Sequence, residues 1–114
     1  MNDNYPALYE HLQKMFAKLA RNLRGPMSAF VQLNAAATAP GALDAKTKQL
    51  IALGIVITSR CEGCIAYHVH DAIRAGATKE EILETTGIAI LMGGGPAAVC
   101  ACEVMAAVDQ FTSS

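Results

Sequence analysis

Glycine and proline punctuation constrains this chain more than any other feature of its sequence. Gly25-Pro26, Pro40-Gly41, Gly76 and Gly93-Gly94-Gly95-Pro96 cut it into short pieces, with no linker, repeat or low-complexity tract between them. Inside the pieces apolar residues recur at helical spacing. Leu8, Leu12, Met15, Phe16, Leu19 and Leu23 form one stripe over residues 5–24, which Gly25-Pro26 should end. A second piece, roughly 27–38, closes before Pro40-Gly41. Asp44 is a natural N-cap for a third, running through Thr58. Its β-branched end, Ile55 to Thr58, would also suit a buried strand. Helix is preferred, because the run continues from good helix formers at Lys46–Leu53 and no strand partner is visible. Being apolar nearly all round, this helix should be the most buried. Ser59-Arg60-Cys61-Glu62 fits a capping box that opens a fourth helix, with Gly76 as its stop. Thr78 to Glu81 repeats the box for a fifth over 79–92, and a sixth runs from the glycine turn to about Phe111. The expectation is an all-α fold, a compact bundle of about six helices in one domain spanning residues 1–114. The glycine run lacks the Lys-Ser/Thr or the spacing of a phosphate cradle and reads as an interhelical turn.

Charge then bounds the function. Apolar residues make up 53% of the chain and charged ones 17%, against roughly a quarter charged in an average domain. So few charges cover a small sphere poorly, which predicts a homo-oligomer. A net charge of −1 and the absence of Trp give no footprint for nucleic acid. The first residues lack the layout of a signal peptide, and the most apolar window, 88–108, is broken by Gly93–Pro96 and carries Glu103. These features lead us to expect a cytoplasmic protein without a membrane span, where cysteines are more often catalytic or metal-binding than stapling.

The stretch "SRCEGCIAYHVHDAIRAG", residues 59–76, concentrates the chemistry. With Ser59 as N-cap, Cys61 and Cys64 would lie in the first turn and a half of a helix. The positive end of the macrodipole there favours a thiolate. Arg60 adds to this and Glu62 opposes it. His68 follows Cys64 by four residues and Cys61 by seven, so the three share a face, and an imidazole so placed can take a thiol proton. His70 points about 200° away from His68 and belongs elsewhere. Three readings compete: buried cysteines beside a satisfied histidine, a zinc site, or a redox dithiol. Zinc would want four converging ligands where only Cys61, Cys64 and His68 are available. The redox dithiol is the reading we favour, with no metal and no cofactor beyond the cysteine pair. Cys100 and Cys102 read as small core residues, His11 as a surface residue, and Tyr67 as either lining the site or packing.

At these residues the chain resembles the carboxymuconolactone decarboxylase superfamily, and within it the alkylhydroperoxidase-D-like branch. The resembling block runs over residues 46–96. It carries Cys61-x-x-Cys64-x-x-x-His68, then Ala72-x-x-x-Gly76 and Glu81-Ile82. The resemblance implies an all-helical subunit assembling into trimers or hexamers. It further implies peroxidase chemistry without haem or flavin, in which one motif cysteine becomes a sulfenic acid and the other closes a disulfide that a thiol reductant reopens. A peroxiredoxin is one partner the branch supplies with electrons. By that analogy His68 serves as acid and base, Cys64 faces the peroxide because His68 is its i+4 partner, and Cys61 resolves or meets the partner.

Two positions depart from the pattern. Gln49 stands where a glutamate is often found, twelve residues before the first cysteine, and Gly63 where the branch has a histidine. A glutamine orients a neighbour by hydrogen bonding but accepts no proton, which leaves His68, with Asp71 behind it, to carry the proton chemistry. The expected function is therefore a thiol-dependent peroxidase or disulfide reductase of antioxidant type. The alternatives are a non-catalytic redox-sensing or scaffold oligomer, a cofactor-free lactone decarboxylase, which typically lacks the cysteine pair, and a zinc-binding module.

Overall fold

In a computed structural model, which describes residues 3–113, the chain forms six helices. They are α1 (Tyr5–Asn22), α2 (Arg24–Thr38), α3 (Ala45–Ser59), α4 (Glu62–Arg74), α5 (Lys79–Gly93) and α6 (Gly95–Thr112). The all-α expectation holds, and α3 is helical through its β-branched end. Among the described residues no helix is long and apolar enough to cross a membrane.

The helix boundaries follow local chemistry. Asp44 caps α3 by accepting the Thr47 N–H at 2.7 Å. Thr78 and Glu81 exchange both bonds of a capping box, 3.1 Å and 2.8 Å, to open α5. Glu81 also accepts Lys46 Nζ at 2.8 Å, tying α5 to α3, and the lysine holds its carboxyl below the usual range. At the end of α4, Gly76 adopts φ +97°, the Gly76 N–H reaches Ile73 O, and the Ala77 N–H reaches Ala72 O. This is a Schellman stop that only glycine enters without strain.

Three expectations are corrected. The break between α1 and α2 falls at Leu23 rather than at Gly25-Pro26, which lie inside the first turn of α2. Proline is tolerated there because first-turn N–H groups have no intrahelical acceptor, so Pro26 begins a helix instead of ending one. Ser59 is not the N-cap of α4. It closes α3, its hydroxyl donating to Val56 O at 3.0 Å, and Arg60 turns the chain at φ +58°. Finally, α3 is not the most buried helix. Leu53, Val56 and Ile57 are buried, while Ile51 and Ile55 are exposed and α6 buries more of its residues.

The core is assembled from Leu53 and Ile57 of α3, Ile65 and Val69 of α4, Ile82 of α5, and Val104 and Val108 of α6. Burying side chains of this kind contributes about 1.5–3 kcal/mol each. Helix α1 joins through Tyr5, Leu8 and Tyr9, and its Tyr5 N–H donates to Gln110 Oε1 on α6 at 2.6 Å. The far half of its apolar stripe, Met15, Phe16, Leu19 and Leu23, remains exposed. No residue of α2 is buried, although Phe30, Val31 and Leu33 are large and apolar.

Candidate functional site

The cysteine pair sits at the junction of α3 and α4. Because Arg60 takes the left-handed turn, Cys61 becomes the N-cap of α4, and its Sγ accepts the Cys64 N–H at 3.2 Å. Cys64 is then the third helical residue, not the fifth. Their Cα atoms are 5.1 Å apart and the sulfurs are joined as a disulfide. Cys64 packs against the hydrophobic core, whereas Cys61 lies outside that cluster. Gly63 between them has a packing reason. A Cβ there would stand 3.1 Å from Leu12 Cδ1, so α1 lies directly over the bend of the motif.

His68, one turn after Cys64, is half-buried. Burial pushes its pKa below the ordinary 6.5, and the opposing charge of Asp71 is the smaller influence. The imidazole is therefore neutral at pH 7 and able to accept a proton. Its Nδ1 is buried without a protein hydrogen-bond partner, and so is Oε1 of Gln49 on α3. Buried polar atoms of this kind cost about 1–3 kcal/mol each when left unsatisfied, and in native proteins they often mark working sites.

The remaining candidates gather on another face of α4. Tyr67 packs between Tyr9 and Phe16 of α1, with ring centroids 4.8 Å and 5.4 Å away. Asp71 Oδ1 pairs with Nδ1 of His70 at 3.0 Å, so its hydrogen bond goes to His70 and not to His68. His70 stacks on Tyr9 at 3.9 Å and meets Phe111 of α6 edge-on, filling the α1–α4–α6 seam. Burial raises the Tyr9 and Tyr67 phenols above their usual range, with Asp71 adding to both. His11 is exposed, as expected. Cys100 is buried and its thiol is pushed up by that burial, but Cys102 is exposed, which corrects its reading as a core residue. Its two-residue offset from Cys100 turns it to the opposite side of α6. Among the described residues no group of three or more His, Cys, Asp or Glu side chains could hold a metal ion.

An apolar groove of about 470 Å³ runs between α3 and α5, lined by Ile51, Gly54, Ile55, Thr58, Ile88 and Met92 among others. None of its walls is a residue of the dithiol centre. Nothing in the sequence separates its apolar residues from core ones, since both kinds alternate along the same helices.

The model of the carboxymuconolactone decarboxylase family matches residues 26–107. An uncharacterized protein of Cupriavidus necator is 37% identical over 102 residues, 90% of each chain. An uncharacterized protein from the cox locus of Paracoccus denitrificans is 42% identical over 83 residues, 73% of this chain and 75% of that one. Among solved structures, an apo carboxymuconolactone decarboxylase family protein of Legionella pneumophila superposes with a TM-score of 0.93 at 38% identity, covering 98% of this chain and all of that one. A Thermotoga maritima protein of the same family, for which a part in the antioxidative response has been suggested, gives a TM-score of 0.81 at 30% identity over 92% of this chain and 89% of that one.

Proposed function

The chain belongs to the carboxymuconolactone decarboxylase family, and from that premise we propose that it is a thiol-dependent oxidoreductase whose Cys61–Cys64 pair reduces hydroperoxides. The observation that carries the reading is the disulfide at the capped start of α4, one turn before a half-buried histidine whose pKa is lowered by burial. One reduced sulfur attacks the peroxide O–O bond and becomes a sulfenic acid while the alcohol leaves. The second thiol, deprotonated with help from His68, displaces water and closes the disulfide. Two thiols of a reductant, or a dithiol partner protein such as a peroxiredoxin, then restore the pair. Protons pass through His68, and Gln49 supplies an acceptor oxygen but no proton-accepting carboxylate. A lactone decarboxylation would make no use of a disulfide, and the pair supports the redox reading over it.

The working form is proposed to be a homo-oligomer in the cytoplasm. Support comes from Ile55, Ile88, Leu91 and Met92, which are 64–77% exposed along α3 and α5, and from α2, which buries nothing within the subunit. A helix of 15 residues is marginal on its own. A redox-sensing oligomer is the second reading. It is favoured by the position of the disulfide, whose Cys61 is itself the helix cap, so that its redox state acts on the α3–α4 junction. Steady-state turnover of an organic hydroperoxide with a dithiol reductant decides between them. Catalytic consumption supports the peroxidase, and a single stoichiometric oxidation without turnover supports the sensor.

A further inference from the structure

We propose that Arg60 is a positioning residue for the dithiol: the turn between α3 and α4 holds its cation beside the reduced pair, where it supports a thiolate. The proposal rests on the dithiol reading above and adds to it a residue outside the set of Cys61, Cys64 and His68.

The backbone carries the first part of the case. Among the described residues Arg60 is the one non-glycine residue with a positive φ, at φ 58° and ψ 45°. A side chain in this left-handed region crowds its own backbone, so helix ends of this kind usually carry glycine or asparagine. The fold needs the turn itself. The Arg60 N–H closes α3 on Val56 O at 3.0 Å, and the next residue, Cys61, is the cap of α4. It does not need an arginine there. Glycine would make the same turn without strain, as Gly76 does after α4. An arginine kept where glycine is favoured points to use of its side chain.

Charge supplies the second part. Arg60 is exposed and adjoins Cys61. Across the junction, burial raises the Cys100 thiol on α6, Glu103 adds to this, and the Arg60 charge works against both. The guanidinium is therefore felt on the side of the junction where α6 packs. Cys64 packs against the core cluster that contains Cys100. The same cation thus neighbours Cys61 along the chain and the surroundings of Cys64 through space. The other groups around the pair are Glu62 in the first turn of α4, Glu103 on α6, and His68, whose pKa burial lowers. Helix α1 faces the motif with the uncharged Leu12. Of these groups only Arg60 is a fixed cation, and a cation beside a thiol favours its ionised, reactive form.

The test titrates the ultraviolet absorbance of the thiolate in the reduced protein, in a Cys102→Ser background that removes the exposed free thiol. Arg60→Gly, Arg60→Asn and Arg60→Lys are compared with that parent. At low salt Arg60→Gly and Arg60→Asn should hold about three- to tenfold less thiolate at pH 7, up to one unit of thiol acidity. Their alkylation by iodoacetamide should slow by the same factor. Arg60→Gly should melt at or above the parent in excess reductant, since its turn is relaxed. Arg60→Lys should restore the thiolate, and raised salt should shrink the difference between parent and Arg60→Gly. Unchanged thiolate in Arg60→Gly overturns the proposal and leaves Arg60 as a partner for the C-terminal carbonyls of α3. So does an Arg60→Gly protein that melts lower, with Arg60→Lys restoring the melting temperature and not the thiolate. Thiolate lost in Arg60→Gly and regained in Arg60→Lys, in a protein whose dithiol no organic hydroperoxide oxidises, upholds the role of Arg60 and overturns the peroxidase reading instead.

Discussion

Replacing Cys61 by serine and by alanine separates its two roles, helix cap and redox sulfur. In the structure, where the pair is disulfide-bonded, the Cys61 side chain accepts the Cys64 N–H at the first turn of α4, and the reduced side chain is expected to keep that cap. Serine is a better N-cap than cysteine, because its oxygen is the stronger acceptor, so Cys61→Ser should match or exceed the reduced wild type in stability. Alanine offers no acceptor, and loss of an N-cap costs about 1 kcal/mol, within a range of roughly 0.5–2. For 114 residues the unfolding entropy is about 0.24 kcal/mol per kelvin. The alanine variant should therefore melt about 4 °C below the serine variant. The assay is thermal unfolding by circular dichroism in excess reductant, where the wild type also lacks its disulfide and the comparison is like for like. Hydroperoxide turnover should be absent from both variants. Equal melting temperatures for the two would refute the placement of Cys61 at the cap. Turnover in either would refute its place in the chemistry.

Because the pKa of His68 lies below 6.5 in the folded chain, the unfolded chain binds its proton first as the pH falls. Stability should be undiminished above about pH 6.5 and decline as the pH drops from there toward the folded pKa. Turnover should fall over the same acid range, and His68→Ala should slow disulfide closure by roughly 10²–10⁴-fold and remove that acid limb in stopped-flow measurements. Two glycines of α5 predict opposite signs for one chemical change. Gly87→Ala enters open space and should stabilise by up to about 1 kcal/mol. Gly93→Ala puts a methyl 2.8 Å from Ala97 Cβ and should cost about 1–3 kcal/mol, both read from urea unfolding. Sedimentation should give the wild type a mass that is a multiple of the 12.0 kDa subunit, and Ile55→Glu with Ile88→Glu should lower it. A wild type that sediments as a monomer would refute the oligomer.

Most of the fold was legible because helix ends in this chain carry their own chemistry. Asp44, the Thr78–Glu81 box and Gly76 each act where the sequence pattern places them. The misplaced ends are those where two local signals compete. Ser59 has the spacing of a cap for α4, yet its hydroxyl bonds back to Val56, and the left-handed turn at Arg60 hands the cap to Cys61. Pro26 reads as a stop or as a first-turn residue, and only the position of the preceding break distinguishes them. In the site, helical spacing foretold that His70 would face away from His68, as its stack on Tyr9 shows. The partners of Asp71 and Tyr67 depend on how α1 crosses α4, and the period of one helix carries no information about that crossing. The exposure of Ile55, Ile88 and Cys102 was equally hidden, because an apolar helix does not reveal which of its faces meets its own subunit.

The central claim is that Cys61 and Cys64 form a working redox pair, and the most direct test is the mass of the reduced protein before and after one equivalent of an organic hydroperoxide. The account predicts a loss of two hydrogens, mapped to a Cys61–Cys64 linkage, reversed by a dithiol and absent from Cys64→Ser. An unchanged mass, or oxidation confined to the exposed Cys102, would contradict it.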